Sequence, residues 1–220
     1  MKKFIRSLTL FGLLVLASQT LFADTVSASS ELVQLQNRWA EIKYNLPEKE
    51  REKAFAALVQ EAEKATAAHP SDAPFLIWEG IIRSTYAGAK GGLGALGEVK
   101  KAKKLFEQAI EIDGSAMSGS AYTSLGSLYY QVPGWPVGFG DDELAEEMLK
   151  KGLSLNPDGI DSNYFYGDFL LSQDRYQDAV LSFEKALQAP PRPGRELADK
   201  GRKGEIEEGI LKVRKKLPKN

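Results

Sequence analysis

Small and apolar residues recur at fixed helical spacings towards the end of the chain. From Gly167, the residues Ala179, Phe183, Ala186 and Pro191 follow at steps of twelve, four, three and five. Residues three or four positions apart lie on one face of a helix, so Ala179, Phe183 and Ala186 are predicted to form one buried stripe. Proline cannot continue a helix interior, and Pro191 therefore marks the end of this helix. The pattern predicts two helices between residues 160 and 193.

The same spacing occurs twice upstream, each time with extra residues between its two halves. The middle copy has seven extra residues and consists of Leu125, Gly126, Tyr129, Ala145, Leu149, Gly152 and Pro157. The earlier copy has ten extra residues and consists of Gly80, Ala102, Phe106, Ala109 and Gly114. The glycine on the first helix and the alanine on the second let the two backbones approach closely. We therefore expect these positions to be core or boundary residues, not catalytic ones.

The small-residue, Ala-x3-Phe and late-proline spacing matches the tetratricopeptide repeat, and residues 160–193 resemble one complete 34-residue unit. The resemblance implies an all-α fold, namely a right-handed α-solenoid of about three to four helix pairs. Three repeats are assigned to residues 73–193, with loop insertions at 86–97 and 131–141. No strands are expected.

The segments on either side of these repeats are also predicted to be helical. Residues 24–72 contain two helices, 32–43 and 48–68, which we interpret as a degenerate first repeat. Residues 194–220 follow a proline-rich break, and their helix, 195–216, is expected to cap the end of the solenoid.

Residues 1–23 have the pattern of a secretory signal peptide. Lys2, Lys3 and Arg6 precede an uncharged apolar run at 8–17, which is shorter than the roughly 20 residues that span a bilayer. We expect cleavage after Ala23 or Ala28, with an uncleaved anchor as the alternative. The Met-Lys-Lys opening is typical of bacteria and favours the periplasm. Stable membrane insertion of the mature chain is not expected.

The two insertions fall at the same turn of their repeats and are expected on one edge of the array. Insertions that cluster on one face of a repeat protein often mark its binding face. The second insertion contains two prolines, three glycines and the aromatic residues Trp135 and Phe139. These aromatic side chains either contact a ligand or fill the gap that the insertion makes.

The first helices of the repeats line the concave face in tetratricopeptide repeat proteins. Here that face presents hydroxyl, aromatic and carboxylate side chains, of which the candidate binding residues are Thr123, Ser127, Tyr130, Tyr164 and Asp168. Such a mixed lining suits a peptide segment or a small amphipathic ligand. The alternative is that this face forms a partly closed helical core.

Composition excludes several kinds of site. The 220-residue chain has no cysteine and one histidine, His69, so thiolate and histidine-rich metal sites have few ligands to use. The sequence contains no catalytic or phosphate-binding motif, and no enzyme activity, metal or cofactor is expected. The formal net charge of −1 gives no field for nucleic acid. Residues 190–220 hold ten basic and five acidic side chains, which we interpret as a solvated helix.

Two functions follow as hypotheses. The first is a periplasmic scaffold that binds a protein partner through the concave face of its repeats. The alternative rests on the interrupted repeats with a Pro-Gly-Trp-Pro and Phe-Gly-Asp segment, which resemble the periplasmic T components of TRAP transporters. That resemblance implies an accessory protein that binds a small apolar or organic-acid ligand, although this chain lacks the lipid-anchoring cysteine of some members.

Overall fold

A computed structural model describes residues 29–217 of the chain. Within this range the secondary structure is helical, without strands, which confirms the all-α prediction. Helix α1 covers residues 29–45, and its last turn, Glu41–Asn45, is a π-helix. The other helices are α2 (Glu48–Ala68), α3 (Ala73–Lys90), α4 (Gly92–Asp113), α5 (Ala116–Gln131), α6 (Asp142–Leu155), α7 (Ile160–Ser172), α8 (Tyr176–Leu187) and α9 (Glu196–Arg214).

The helices pack in consecutive pairs, and a glycine lies at the close approach within three of them. A Cβ atom on Gly80 of α3 would lie 2.4 Å from the Phe106 ring of α4, and one on Gly167 of α7 would lie 2.8 Å from Phe183 of α8. Gly126 of α5 has the same relation to Leu149 of α6, at 2.8 Å. The alanines at the matching positions of the second helices are fully buried, namely Ala102, Ala145 and Ala179. Ala109 and Ala186, further along the same helices, are also fully buried.

Helices α1 and α2 pack against α3 and form a second part of the core around Phe55, Leu58 and Ile82. The Trp39 and Trp78 rings meet edge to face, with their centroids 5.8 Å apart, and join α1 to α3. Pro47 stands immediately before α2, where its missing N–H costs no helical hydrogen bond. The N-terminal helices therefore continue the stack of helix pairs.

The expectation of a loop at 86–97 is wrong. Helix α3 continues to Lys90 and α4 starts at Gly92, so the ten extra residues lengthen both helices. The turn needs only Gly91 and Gly92, whose φ angles of 63° and 60° suit glycine. Ala87 and Val99 are buried beside this turn, and the burial of their side chains favours helix over loop. The insertion at 131–141 does form a loop, after the last α5 residue.

Helix α9 packs on α7 and α8 as a terminal helix would, but it also reaches back to α1 at the other end of the array. Lys43 Nζ lies 2.9 Å from Glu205 Oε1, and Ala198 is buried in the core that α1, α2 and α3 share. The array is therefore closed on itself, and α9 joins its two ends.

The predicted signal peptide lies outside the described residues, as do the last three residues of the chain. None of the helices between residues 29 and 217 is long and apolar enough to cross a bilayer.

Candidate binding chamber

A chamber with a volume of about 1170 Å³ lies at the centre of the closed array. Its wall includes the first helix of every pair, α1, α3, α5 and α7, together with α9 and the start of α4. Ligand pockets in proteins usually measure about 300–1,000 Å³, so this space can hold a small molecule or a short chain segment. The concave face predicted from the repeats is thus the wall of a deep chamber that remains partly open to solvent.

The candidate binding residues separate into two groups. Thr123, Ser127 and Tyr164 line the chamber, whereas Tyr130 and Asp168 do not. The Tyr130 hydroxyl donates a hydrogen bond of 2.7 Å to Asp168 Oδ2, and the Gln131 amide donates to the Tyr130 oxygen at 3.0 Å. Burial, and then the Asp168 carboxylate, raise the pKa of Tyr130 well above its usual range. This pair joins α5 to α7, and its polar atoms are already engaged.

The loop at residues 132–141, called the rim loop below, is folded tightly on itself. Gly140 N–H donates to the Pro133 carbonyl at 3.1 Å, and a Cβ atom on Gly140 would lie 1.9 Å from the Val132 carbonyl oxygen. Asp141 ends the loop by capping α6, where its Oδ1 accepts from two backbone N–H groups at 3.0 Å. The rim loop is therefore a shaped element held by backbone contacts.

The two aromatic side chains of the rim loop differ in environment. Phe139 packs edge to face on Tyr129 of α5, with centroids 5.9 Å apart, and Lys103 lies over both rings. Trp135 is 90% exposed, although Pro133 and Val137 on either side of it line the chamber. Phe139 thus fills the gap below the loop, while Trp135 stands free beside the chamber.

A chain of ion pairs runs along the wall from α7 to α1. The Asp161 carboxylate accepts from Arg202 Nε at 2.7 Å and from Arg192 Nη1 at 2.6 Å. Burial alone would raise the pKa of Asp161, but the guanidinium groups of Arg202 and Arg192 outweigh it and hold that pKa well below its usual range. Arg202 also pairs with Glu205, the partner of Lys43. These pairs hold α9 across the array.

Sequence reasoning missed the charged wall residues because it treated the C-terminal segment as a solvated helix. The feature of the sequence that could have identified them is the excess of basic side chains in residues 190–220. Three arginines from this segment line the chamber: Arg192, Arg195 and Arg202.

Part of the wall has a strained backbone. Met117 and Ser118, which line the chamber at the start of α5, have φ angles of 49° and 56° in the left-handed region. This conformation costs a non-glycine residue roughly 1–2 kcal/mol, and it persists where the surrounding structure holds it, often at functional sites. The strained turn places a methionine and a serine on the chamber wall.

The chamber wall combines apolar and polar side chains. Within residues 29–217 no group of three or more histidine, aspartate or glutamate side chains is arranged to hold a metal ion. His69, the single histidine of the chain, stacks on Phe75 at the end of α2, outside the chamber lining. Apolar side chains such as Leu96 and Phe165 alternate on the wall with hydroxyl and guanidinium groups. This lining suits an amphipathic ligand.

Two segments of the chain, residues 93–115 and 160–193, match the family model of the tetratricopeptide repeat. No curated protein matches the sequence. Among solved structures, the crystal structure of MamA has a TM-score of 0.44 and 19% sequence identity, over 76% of this chain and 92% of MamA. The structure of TTC0263, a thermophilic TPR protein in Thermus thermophilus, has a TM-score of 0.41 and 16% identity, over 73% of this chain and 91% of that protein.

Proposed function

Since the chain is a tetratricopeptide repeat protein, we propose that it is a secreted, periplasmic scaffold that binds a protein partner at the chamber and the rim loop. Proteins built from these repeats bind protein partners and generally lack catalytic activity of their own. The secreted location is supported by the signal-peptide pattern of residues 1–23.

The observation that carries this proposal is the position of Trp135. An exposed tryptophan on a rigid support is often a binding hot spot of a protein interface, because its large ring is buried at little cost in side-chain entropy. Trp135 is 90% exposed on a loop held by its own backbone hydrogen bonds. Because Pro133 and Val137 line the chamber, a partner segment bound there lies beside the loop that carries Trp135.

The proposal is tested by capturing partners from a periplasmic extract with immobilised protein. Trp135→Ala is expected to reduce the captured amount of a specific partner at least about tenfold, as alanine substitution of a hot-spot residue does. Leu181→Ala is the matched control, because Leu181 is also an exposed apolar residue, at 65%, and does not line the chamber. Equal capture by both variants and the unsubstituted protein would rule out the rim loop as the binding surface.

A second candidate function is favoured by the closure of the array by α9. A chamber with α9 across it suits a small ligand better than a long peptide, because the contact between α9 and α1 obstructs a continuous path along the concave face. Under this proposal the protein is an accessory that carries a small amphipathic molecule, as its resemblance to T components of TRAP transporters implies. Native mass spectrometry of protein purified from its own host, before and after denaturation, tests it. A released small mass supports this candidate, and a bare chain contradicts it.

A further inference from the structure

Arg195 differs from the other cations of the chamber wall. Lys43, Arg192 and Arg202 each form ion pairs, with Glu205, Asp199 or Asp161. Among the residues that the structure describes, no carboxylate pairs with Arg195 and no side-chain acceptor receives a hydrogen bond from its guanidinium group. Its guanidinium carbon lies 4.7 Å from the centroid of the Trp78 ring, and both residues line the chamber.

Trp78 carries a second donor that has no acceptor among the described residues. Its indole Nε1 is the buried side-chain nitrogen that makes no hydrogen bond in the described part of the chain. The neighbouring Trp39 shows the usual arrangement, since its indole N–H donates to Thr85 Oγ1 at 2.9 Å. A buried donor without an acceptor costs about 1–3 kcal/mol, so such groups normally have a partner. Trp78 is itself only 5% exposed.

The nearby carboxylates do not satisfy these donors. Asp161 is held by Arg192 and Arg202, and Asp199 accepts two hydrogen bonds from Arg192, at 2.9 Å and 2.7 Å. Burial, and then the positive charge of Arg192, lower the pKa of Arg195 below its ordinary value. An additional anion beside Arg195 would relieve this repulsion. One unpaired cation matches a singly charged acid and not a phosphate dianion.

The remainder of the wall is suited to an apolar body. Leu96, Met117 and Phe165 line the same chamber, and the Trp39 ring packs edge to face on Trp78. A ligand that places an acid group at Arg195 can therefore extend its hydrocarbon part among apolar and aromatic side chains.

We propose that the chamber binds an amphipathic monocarboxylate, whose carboxylate accepts hydrogen bonds from the Arg195 guanidinium and whose apolar body lies along the chamber wall. This proposal rests on the second candidate function and assigns the chemical class of its ligand. Trp78 contributes the aromatic face on which Arg195 is held.

Decanoate is the probe, and its uncharged analogue decanol is the comparison. Calorimetry on the purified protein at pH 7, with both compounds below their aggregation concentrations, is expected to show decanoate binding at least about tenfold tighter than decanol, as a hydrogen bond to a charged group allows. Arg195→Gln is expected to remove this preference, and Arg195→Lys to restore part of it. Arg38→Gln is the matched control, because Arg38 pairs with Glu61 on the exposed surface.

The outcomes separate this proposal from the functions on which it builds. Equal binding of both probes would retain the small-ligand chamber and overturn the role of Arg195. Absence of binding by either probe would overturn both the acid assignment and the small-ligand function, while the scaffold function would still depend on Trp135. Binding of a peptide with a free C-terminal carboxylate, but not of decanoate, would overturn the proposal and assign Arg195 to the end of a partner chain. If the circular dichroism spectrum of Arg195→Gln differs from that of the unsubstituted protein, Arg195→Met replaces it, because methionine also removes the guanidinium charge and is expected to remove the preference for decanoate.

Discussion

The Tyr44 ring of α1 lies directly against Gly201 of α9, where a Cβ atom would approach Tyr44 Cδ1 and Cε1 to 2.3 Å. The Tyr44 hydroxyl also reaches Glu205, across a separation of 161 residues in the chain. The last helix can therefore meet the first only because position 201 carries no side chain. This contact decides whether the concave face is a groove or a chamber.

We expect Gly201→Ala to weaken the contact between α9 and α1. The new methyl group must displace a packed ring, and this cost of about 1–3 kcal/mol exceeds the gain of about 1 kcal/mol from replacing glycine inside a helix. Urea unfolding measures the stability, and small-angle scattering is expected to show a larger radius of gyration.

Gly204→Ala is the matched control in the same helix, since a Cβ atom there has no neighbour within 4 Å. This variant is expected to be up to about 1 kcal/mol more stable, with unchanged dimensions. If Gly201→Ala were stabilised to the same extent, the close contact with Tyr44 would not exist in solution.

Asp161→Asn is expected to destabilise the fold by about 2–4 kcal/mol at pH 7, because the buried Arg202 loses one of its two charged partners and keeps only Glu205. The folded-state pKa of Asp161 is lowered, so its contribution is present above the unfolded pKa of about 4 and is lost as the pH falls towards the folded value. The stability difference between variant and unsubstituted protein should therefore shrink below about pH 4.

Urea unfolding at pH 7 and pH 3 checks this expectation. Asp158→Asn serves as control, since its carboxylate pairs with Lys185 on the exposed surface and is worth at most about 1 kcal/mol. A stability difference for Asp161→Asn that stays constant with pH would contradict the charge argument.

Tyr130→Phe removes the hydrogen bond to Asp168 and is expected to cost about 1–2 kcal/mol. Because the folded-state pKa of Tyr130 is raised, its hydroxyl contributes fully below the unfolded pKa of about 10, and that contribution is lost as the pH rises towards the folded value. The variant should lose stability less steeply between pH 9 and about pH 11. Thermal unfolding across this range measures the slopes, and parallel slopes would show that the tyrosine does not titrate as described.

Arg83→Met is expected to cost about 3–5 kcal/mol, because it leaves the buried Glu79 carboxylate without its cation. Arg83 joins three helices, through Glu63 of α2, Glu79 of α3 and Glu98 of α4. Arg38→Met removes an exposed ion pair and should change the free energy of unfolding by less than about 1 kcal/mol. Equal effects of the two substitutions in urea unfolding would show that the ion pairs of Arg83 stabilise the fold no more than an exposed pair does.

The helix pairs were predictable because their signals are local. Gly80 and Phe106, or Gly167 and Phe183, stand at fixed spacings within one helix pair, and the space that each glycine leaves for the aromatic ring is required by that pair alone. The turn at Gly91 was predicted as a long loop because glycine-rich sequence favours loops, whereas the burial of Ala87 and Val99 favours helix there.

The candidate site was only partly predictable. The spacing placed Thr123, Ser127 and Tyr164 on the concave face, where they line the chamber. It also placed Tyr130 and Asp168 there, and these two side chains bond to each other without lining the chamber. A helical period gives the direction of a side chain from its own axis, but the neighbouring helix determines whether that direction leads to open space or to a partner.

The sequence by itself determined the helical class, the repeat unit and the residues that pair helices, because these depend on contacts between positions close together in the chain. Tertiary structure alone decided that the array closes, that Trp135 is exposed while Phe139 is packed, and that Arg195 has no carboxylate partner among residues 29–217. Closure results from small rotations that add up over all helix pairs. No local pattern contains that sum, so the contact between Tyr44 and Gly201 becomes visible only in the folded chain.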